Sequence, residues 1–335
     1  RRQRQMCIRD RVFVSTWGRG AVPHNHPLAA DYVAVSLFGK LHPAIKGVLE
    51  EADLVIGLGL EVGMRVALAR SAGHAFLLNV YQGDGAGAAV LRSGSAELPV
   101  QSLCDAIGVL LELLPGRIGG GWSSPERLVA EVKGVIEREL SEYLSSFSSS
   151  RPIHPGYVAR VLKRVAERDA VIATDVGSSS IWFETVWRVE TPNTLLTPGR
   201  YGSMGFSLPA AIAAKKVLGD RDVITVAGDG GMLMMLGELA TLAEQRLGVL
   251  VLVLNDAHYG ILWRVQAKRF SKRFIAVETA PPNFARCAES FGVKGLRVED
   301  PKDLEPVLEE ALALEKPVVV EVLTAHHHEH YPYTF

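Results

Sequence analysis

The sequence predicts an α/β chain made of two doubly wound parallel-sheet domains. Three observations predict it. Short apolar runs alternate with helical patterns along most of the chain. The strongest runs, VLVLVLND and PVVVEVLT, are apolar at nearly every position, as parallel strands covered on both faces are. The length of 335 residues is enough for two separate cores.

The first unit is expected over residues 12–115. VFVST (12–16) reads as a strand, HPAIKGVLEEA as a helix, and DLVIGLG (53–59) as a second strand. A further helix, the strand AFLLNV (75–80) and an amphipathic helix through LCDAIGVLLELL follow. Residues 1–11, RRQRQMCIRDR, crowd five arginines against the first strand and are read as a non-native segment. Residues 116–152 are expected to form a linker, with a glycine-rich loop, a charged helix over about 125–145 and a serine-rich end closed by Pro152.

The second unit is expected over 153–335. YVARVLKRVAER predicts a helix, AVIATDVG a strand, SSSIWFETVW a helix, NTLLTP a strand and SLPAAIAAKKVL a helix. DVITVAGD is a buried strand, GMLMMLGELATLAEQ one helix and VLVLVLND a strand. Helix, strand, helix and strand then close on PVVVEVLT. Open sheets of this kind bind ligands beyond the carboxyl ends of their strands. Asp175, Gly177, Asp229, Asn255 and Asp256 stand at such ends.

Composition narrows the partners. A hydrophobic share of 48% with 22% charged residues is a soluble globular balance. A net charge of -1 gives no electrostatic case for nucleic acid or a membrane surface, and no apolar run has the length of a membrane span. Cys7, Cys104 and Cys287 form no paired motif, so a reduced, cytoplasmic setting is expected, without thiolate metal sites. The terminal HHHEH is read as a chain-end tail rather than a metal cluster.

One strand end carries a distinct chemistry. DVITVA runs into Gly228-Asp229-Gly230-Gly231 and a helix begins at once. Glycines let a ligand approach the backbone, and a helix N-terminus favours negative charge, so the turn suits phosphate. Asp229 would repel that phosphate unless a divalent cation stood between them. Mg²⁺ prefers oxygen donors and bridges carboxylates to phosphates. The 24 residues 231–254 separate Gly230 from Asn255, room for one helix and one strand. Asp229 and Asp256 would then share one cation. By itself a GDGG turn is more often a plain strand–helix connection.

Four motifs in order carry a resemblance. GDGGMLMMLGELATLAEQRLGVLVLVLNDAHYG is similar to the GDG–helix–strand–Asn-Asn/Asn-Asp signature of the thiamine diphosphate-dependent enzymes, of the acetolactate synthase large subunit and 2-oxo-acid decarboxylase type. Its Glu238-Leu239 falls where that family has Glu-Leu or Glu-Ile, and its LND-xx-YG ending also fits. RYGSMGFSLPAAIAA resembles GLGTMGFGLPAAIGA, and TDVGSSSIW resembles TDVGQHQMW. The resemblance implies Mg²⁺ ligands at Asp229, Asp256 and the backbone carbonyl of His258. It implies diphosphate contacts at Gly177, Ser178, Ser179, Gly230 and Gly231, with Ser178-Ser179 in place of the frequent Gln-His. Gly202 and Ser203 would lie near the aminopyrimidine, and Met204 would wedge the cofactor into the bent shape in which it activates itself. Asn255 would support the turn, and Tyr259 belongs to the same cofactor-binding stretch. Asp175 is read as a cap for the helix SSSIW, Glu238 as a partner within its own helix, and Met232, Met234 and Met235 as core or pocket lining.

The first unit resembles the same family's middle domain: VFVSTWGRGAVPHNHPL is similar to PVVTTLMGKGAFPEDHPL, and EEADLVIGLGLEVGMRV to QEADLLIAVGARFDDRV. It is expected to lack that domain's first strand and helix. GLEVGMRV has no acidic pair before Arg65, and AFLLNVYQ no acid at its end, so FAD is not expected. No segment resembles the pyrimidine-binding domain that supplies the activating glutamate. The chain is therefore expected to be the C-terminal portion of a longer enzyme, or to work with a partner chain, as a homodimer or homotetramer. The implied activity is acetolactate synthase-like carboligation of pyruvate. Non-oxidative 2-oxo-acid decarboxylation and acyl-CoA cleavage are the alternatives within the family, since Val265 stands before Gln266 where many synthases have Trp. A non-catalytic cofactor-binding subunit is the alternative from another class.

Overall fold

The computed structural model of the protein describes residues 12–15, 18–33, 42–60, 76–82, 95–100, 102, 125–199 and 201–326. The chain divides into two compact units, Arg1–Glu139 with Tyr331–Phe335, and Leu140–His330. Both are α/β with parallel strands, as the alternating pattern predicts.

In the first unit, β1 (Val12–Ser15) pairs in parallel with β2 (Ala29–Val33). Helix α1 (Pro43–Glu50) follows; Pro43 fixes its first φ and the His42 ring accepts from Ala44 N–H. Strands β3 (Leu54–Leu58), β4 (Phe76–Gln82) and β5 (Ser95–Val100) form a three-stranded parallel sheet. Ile45, Val48 and Leu49 pack with Val132 and Ile136 of α2 (Pro125–Ser145). Two strands here were not expected, β2 and β5. SAELPV carries Pro99, which lacks a ladder donor, and β5 sits at the sheet edge where proline is tolerated. The expected helices over 61–74 and 103–114 lie outside the described residues, as does residues 61–66 of the segment on which the FAD expectation rests.

The second unit holds a six-stranded parallel sheet. Its elements run α3 (Pro155–Val165), β6 (Val171–Thr174), α4 (Ser178–Val186), β7 (Leu195–Leu196), α5 (Ser207–Leu218), β8 (Val223–Gly228), α6 (Asp229–Met235), α7 (Glu238–Gln245), β9 (Leu250–Asn255), α8 (Gly260–Arg269), α9 (Phe284–Ser290), β10 (Lys294–Val298), α10 (Pro301–Ala313) and β11 (Val318–Leu323). The strand order is β10-β11-β9-β8-β6-β7. On one face Val171, Val223, Val251 and Val319 pack against Leu208, Met232, Leu239 and Phe284. The alternate residues Ile172, Ile224, Leu252 and Val320 are buried as well, so the opposite face is also covered. This double burial explains strands with no polar alternation.

Two details depart from the expected elements. The single helix over 231–245 is two helices. Leu239 and Ala240 donate to Leu236 and Gly237, three residues back, so the helix tightens at Gly237 and restarts at Glu238. The stretch after β9 contains two helices before its next strand rather than one. Met232 and Met235 are core residues as expected, but Met234 is 62% exposed. Among the described residues no helix is long and apolar enough to cross a membrane.

A Cβ added at Gly295 would stand 2.0 Å from the carbonyl oxygen of Ala285, because α9 lies directly on β10. Gly295→Ala must push that helix outward. It is expected to lower stability by about 1–3 kcal/mol, the usual effect of overpacking, read as a lower midpoint in urea unfolding. An unchanged midpoint would mean that the helix is free to shift.

Candidate cofactor site

The sheet reverses direction at β6. The chain leaves β6 for β7 at the edge, then returns to lay β8 and β9 on the other side of β6. That reversal opens a crevice at the carboxyl ends of the strands, where ligands of doubly wound sheets bind. The parallel register pairs Gly228 with Leu254, so Asp229 and Asn255-Asp256 emerge side by side.

Each of the three strands turns into a helix there. Gly177 caps α4, Gly228 caps α6 and Tyr259 caps α8, and none of the three caps uses a side-chain hydrogen bond. The three N-termini border one cavity of about 220 Å³. The partial positive charge of three helix ends favours an anion in that space. Asp229 and Asp256 stand in the same wall. A cation between the helix ends' anion and the two carboxylates would relieve their repulsion.

Burial governs both acids. Asp229 is 2% exposed; Oδ1 accepts from Gly230 N at 2.8 Å and Oδ2 from the Thr279 hydroxyl at 3.0 Å. Burial pushes its carboxyl above the ordinary range, against those two hydrogen bonds. Burial, and then the charge of Asp229, push Asp256 up to about 7. Asp256 Oδ1 accepts from His258 N at 3.1 Å. The turn between them places Ala257 at φ 57, in the left-handed region. Thr279 N donates to Ala257 O, and Tyr259 N to Val277 O, so segment 277–279 straps the turn down.

Of the residues singled out in the sequence, Gly177, Ser178, Gly202, Met204, Asp229, Gly230, Gly231, Asp256, His258 and Tyr259 line the cavity. A Cβ at Gly230 would stand 2.5 Å from the Tyr259 ring and 3.2 Å from the Met204 methyl, so these two side chains converge over that glycine. A Cβ at Gly260 would stand 2.7 Å from Ser178 Oγ. That hydroxyl is buried and has no hydrogen-bond partner among the described residues.

Two residues sit off the cavity wall. Ser203 is exposed and off the cavity wall, because the left-handed Gly202 (φ 64) turns the chain there. Asn255 is off the wall too. Its Nδ2 donates to Glu321 Oε1 at 2.7 Å and its Oδ1 accepts from Ala257 N at 3.3 Å, so the side chain supports the turn. Ser179 lies in the first turn of α4, and its side chain is outside what the structure describes. Gly230 N–H, expected to face a diphosphate, is held by Asp229 itself. Asp175 does not cap α4. Its carboxylate accepts from Val176 N, Gly205 N, Ser207 N and the Ser207 hydroxyl, tying the end of β6 to the start of α5. Glu238 accepts from Thr241 within its own helix.

Little in the sequence marks Thr279, which holds Asp229, or Thr324 and Leu262, which line the cavity. Glu321 had a signal, a lone acid in PVVVEVLT. The His258 ring stacks on His326 at 4.0 Å; residues 327–335 of the tail lie outside the described residues. Among the described residues no three His, Cys, Asp or Glu side chains gather to hold a metal. Two carboxylates and a main-chain carbonyl are a different donor set, all oxygen, which suits Mg²⁺.

Residues 175–322 match the family described as thiamine pyrophosphate enzyme, C-terminal TPP binding domain, and this part of the chain belongs to that family. Similar proteins include acetolactate synthases. The chain is 28% identical over 321 residues to a "Probable acetolactate synthase large subunit" of Methanocaldococcus jannaschii, covering 93% of this chain and 52% of that protein. It is 28% identical over 307 residues to the acetolactate synthase isozyme 3 large subunit of Escherichia coli, covering 90% and 52%. A shorter match, 32% over 193 residues, links it to the mitochondrial acetolactate synthase catalytic subunit of Saccharomyces cerevisiae, covering 56% and 28%. The chain thus spans about half the length of the large-subunit relatives it matches.

The raised carboxyl of Asp256 sets a pH test. An unfolded aspartate titrates near 3.9, so the folded chain binds this proton more tightly than the unfolded chain does. The burden of ionised Asp256 is absent below the unfolded value, grows above it and is complete past about 7. Asp256→Asn keeps an acceptor for His258 N–H. Without Mg²⁺ it is expected to melt above wild type at about pH 8, with a smaller gap at about pH 5. Equal melting temperatures at the higher pH would reject burial as the cause.

Proposed function

We propose that this chain holds the diphosphate and Mg²⁺ of thiamine diphosphate in an enzyme acting on 2-oxo acids, with acetolactate synthase-like carboligation of pyruvate as its reaction. One observation carries the reading: three helix N-termini without side-chain caps and two buried carboxylates face one cavity. The residues present fit the group. The Ser178 hydroxyl borders the cavity, buried and unbonded among the described residues, and the missing Cβ of Gly230 and Gly260 lets Tyr259, Met204 and Ser178 close up around it.

In this reading Asp229, Asp256 and the His258 carbonyl hold Mg²⁺. Gly177, Ser178, Ser179, Gly230 and Gly231 face the diphosphate, with Asn255 behind the turn. Met204 and Tyr259 close over Gly230, and Gly202 and Ser203 stand toward the pyrimidine. Bound thiamine diphosphate supplies an electron sink for the pair released when a 2-oxo acid loses its carboxylate. The chain's part would be to anchor that group, to balance its charge with the metal held by Asp229 and Asp256, and to pack Met204 against it.

The glutamate that activates the pyrimidine is assigned to a second domain, from a longer protein or another subunit. Tyr201, Met234 and Leu262 support a covered surface around the cavity mouth. All three are large, apolar and exposed; Leu262 lines the cavity, Tyr201 precedes its lining residue Gly202, and Met234 lies against Gly205. Simple decarboxylation is the second reading, favoured by Val265 before Gln266 where many synthases have Trp.

Calorimetric titration with thiamine diphosphate tests the site. Wild type is expected to bind only with Mg²⁺, and Asp229→Ala to lose most of that affinity, about 100-fold or more. Affinity indifferent to both would reject the assignment. Incubating the complete enzyme with pyruvate tests the reaction: acetolactate without free acetaldehyde supports ligation, and acetaldehyde alone rejects it.

A further inference from the structure

Glu321 is the buried acid that the site does not use directly. It stands in β11 at zero exposure, among Val318, Val319, Val320 and Val322. In the register it faces Arg297 of β10 on one side and Val253 of β9 on the other. Asn255 lies two residues beyond Val253 and so points to the same sheet face. Side chains join this diagonal row. Arg297 Nη1 donates to Glu321 Oε2 at 2.9 Å, and Asn255 Nδ2 donates to Glu321 Oε1 at 2.7 Å.

A buried ion pair is weak evidence for stability, since apolar residues often pack as well. The hydrogen bonds give Glu321 a different role. A carboxylate only accepts, so it forces the NH2 end of the Asn255 amide toward itself. The amide oxygen must then face the other way, where it accepts from Ala257 N. Ala257 is the left-handed residue between Asp256 and His258. The orientation of one amide, set from the next strand, therefore shapes the turn that presents the Mg²⁺ donors.

We propose that Glu321 is a positioning residue for the Mg²⁺-holding turn, acting through Asn255; the proposal rests on the cofactor reading above. Glu321→Gln separates this role from packing, because it preserves volume. The single oxygen of the new side chain goes to Arg297, and its NH2 meets Asn255. The Asn255 amide inverts, and Ala257 N–H loses its bond to Asn255 and keeps only its hydrogen bond to Asp229.

The test is calorimetric titration of Mg²⁺ at saturating thiamine diphosphate, with a thermal melt of each variant. Glu321→Gln is expected to weaken Mg²⁺ binding about tenfold, as loss of outer partners of metal ligands does. Adding Arg297→Met to Glu321→Gln frees the Gln oxygen to turn back to Asn255, and most of the affinity returns. Asn255→Ala, which leaves the Arg297–Glu321 pair intact, gives the same loss as Glu321→Gln and serves if that variant does not fold. Wild-type Mg²⁺ affinity in Glu321→Gln, or in Asn255→Ala, overturns the proposal. So does a double variant that recovers nothing. A wild type without Mg²⁺-dependent binding overturns the cofactor reading, and this inference with it.

Discussion

Two carboxylates, Asp229 and Asp256, end adjacent parallel strands and are held close together away from water. Burial resists the charge on each, and the charge of Asp229 adds to it at Asp256, which is why both titrate above the ordinary range. Nothing in packing asks for such a pair. The surrounding structure keeps it in place with Gly230 N–H, the Thr279 hydroxyl and His258 N–H. The proposed cation gives that electrostatically unfavourable pair a reason to persist.

The sheet makes that arrangement rigid. β8 and β9 are covered on both faces, and their pairing has no slack: Gly228 sits opposite Leu254. A slip of one residue would turn every strand side chain to the opposite face and separate the two acids. The reversal of strand order at β6 then leaves open space where three helices begin. Core packing thus fixes the site indirectly, by fixing the strands whose ends carry it.

Much of this was legible before any coordinates. The strands VITVAG, LVLVLN and VVVEVL stand out because double burial leaves no polar alternation. The glycines around Asp229 mark a backbone that must admit a ligand. Other features were hidden. The break at Gly237 follows from a local tightening of the helix, where the apolar pattern runs on unbroken. Asp175 looked like a cap for the helix after it, yet its partners are 30 and 32 residues away at Gly205 and Ser207. Thr279 reaches Asp229 across 50 residues. Sequence proximity suggests short-range partners, and buried polar groups take whichever partner the fold supplies.

The sequence by itself determined the α/β class, the strand ends that carry chemistry, and the residue types that can hold Mg²⁺ and a diphosphate. Local pattern suffices for these, since strand burial, glycine turns and helix starts are written in neighbouring residues. Only the tertiary structure decided how the pieces face one another: three uncapped helix ends on one cavity, Asn255 turned from the cofactor to Glu321, and Met204 meeting Tyr259 over Gly230. Those facts depend on strand order and register, which the summed burial of the whole sheet sets.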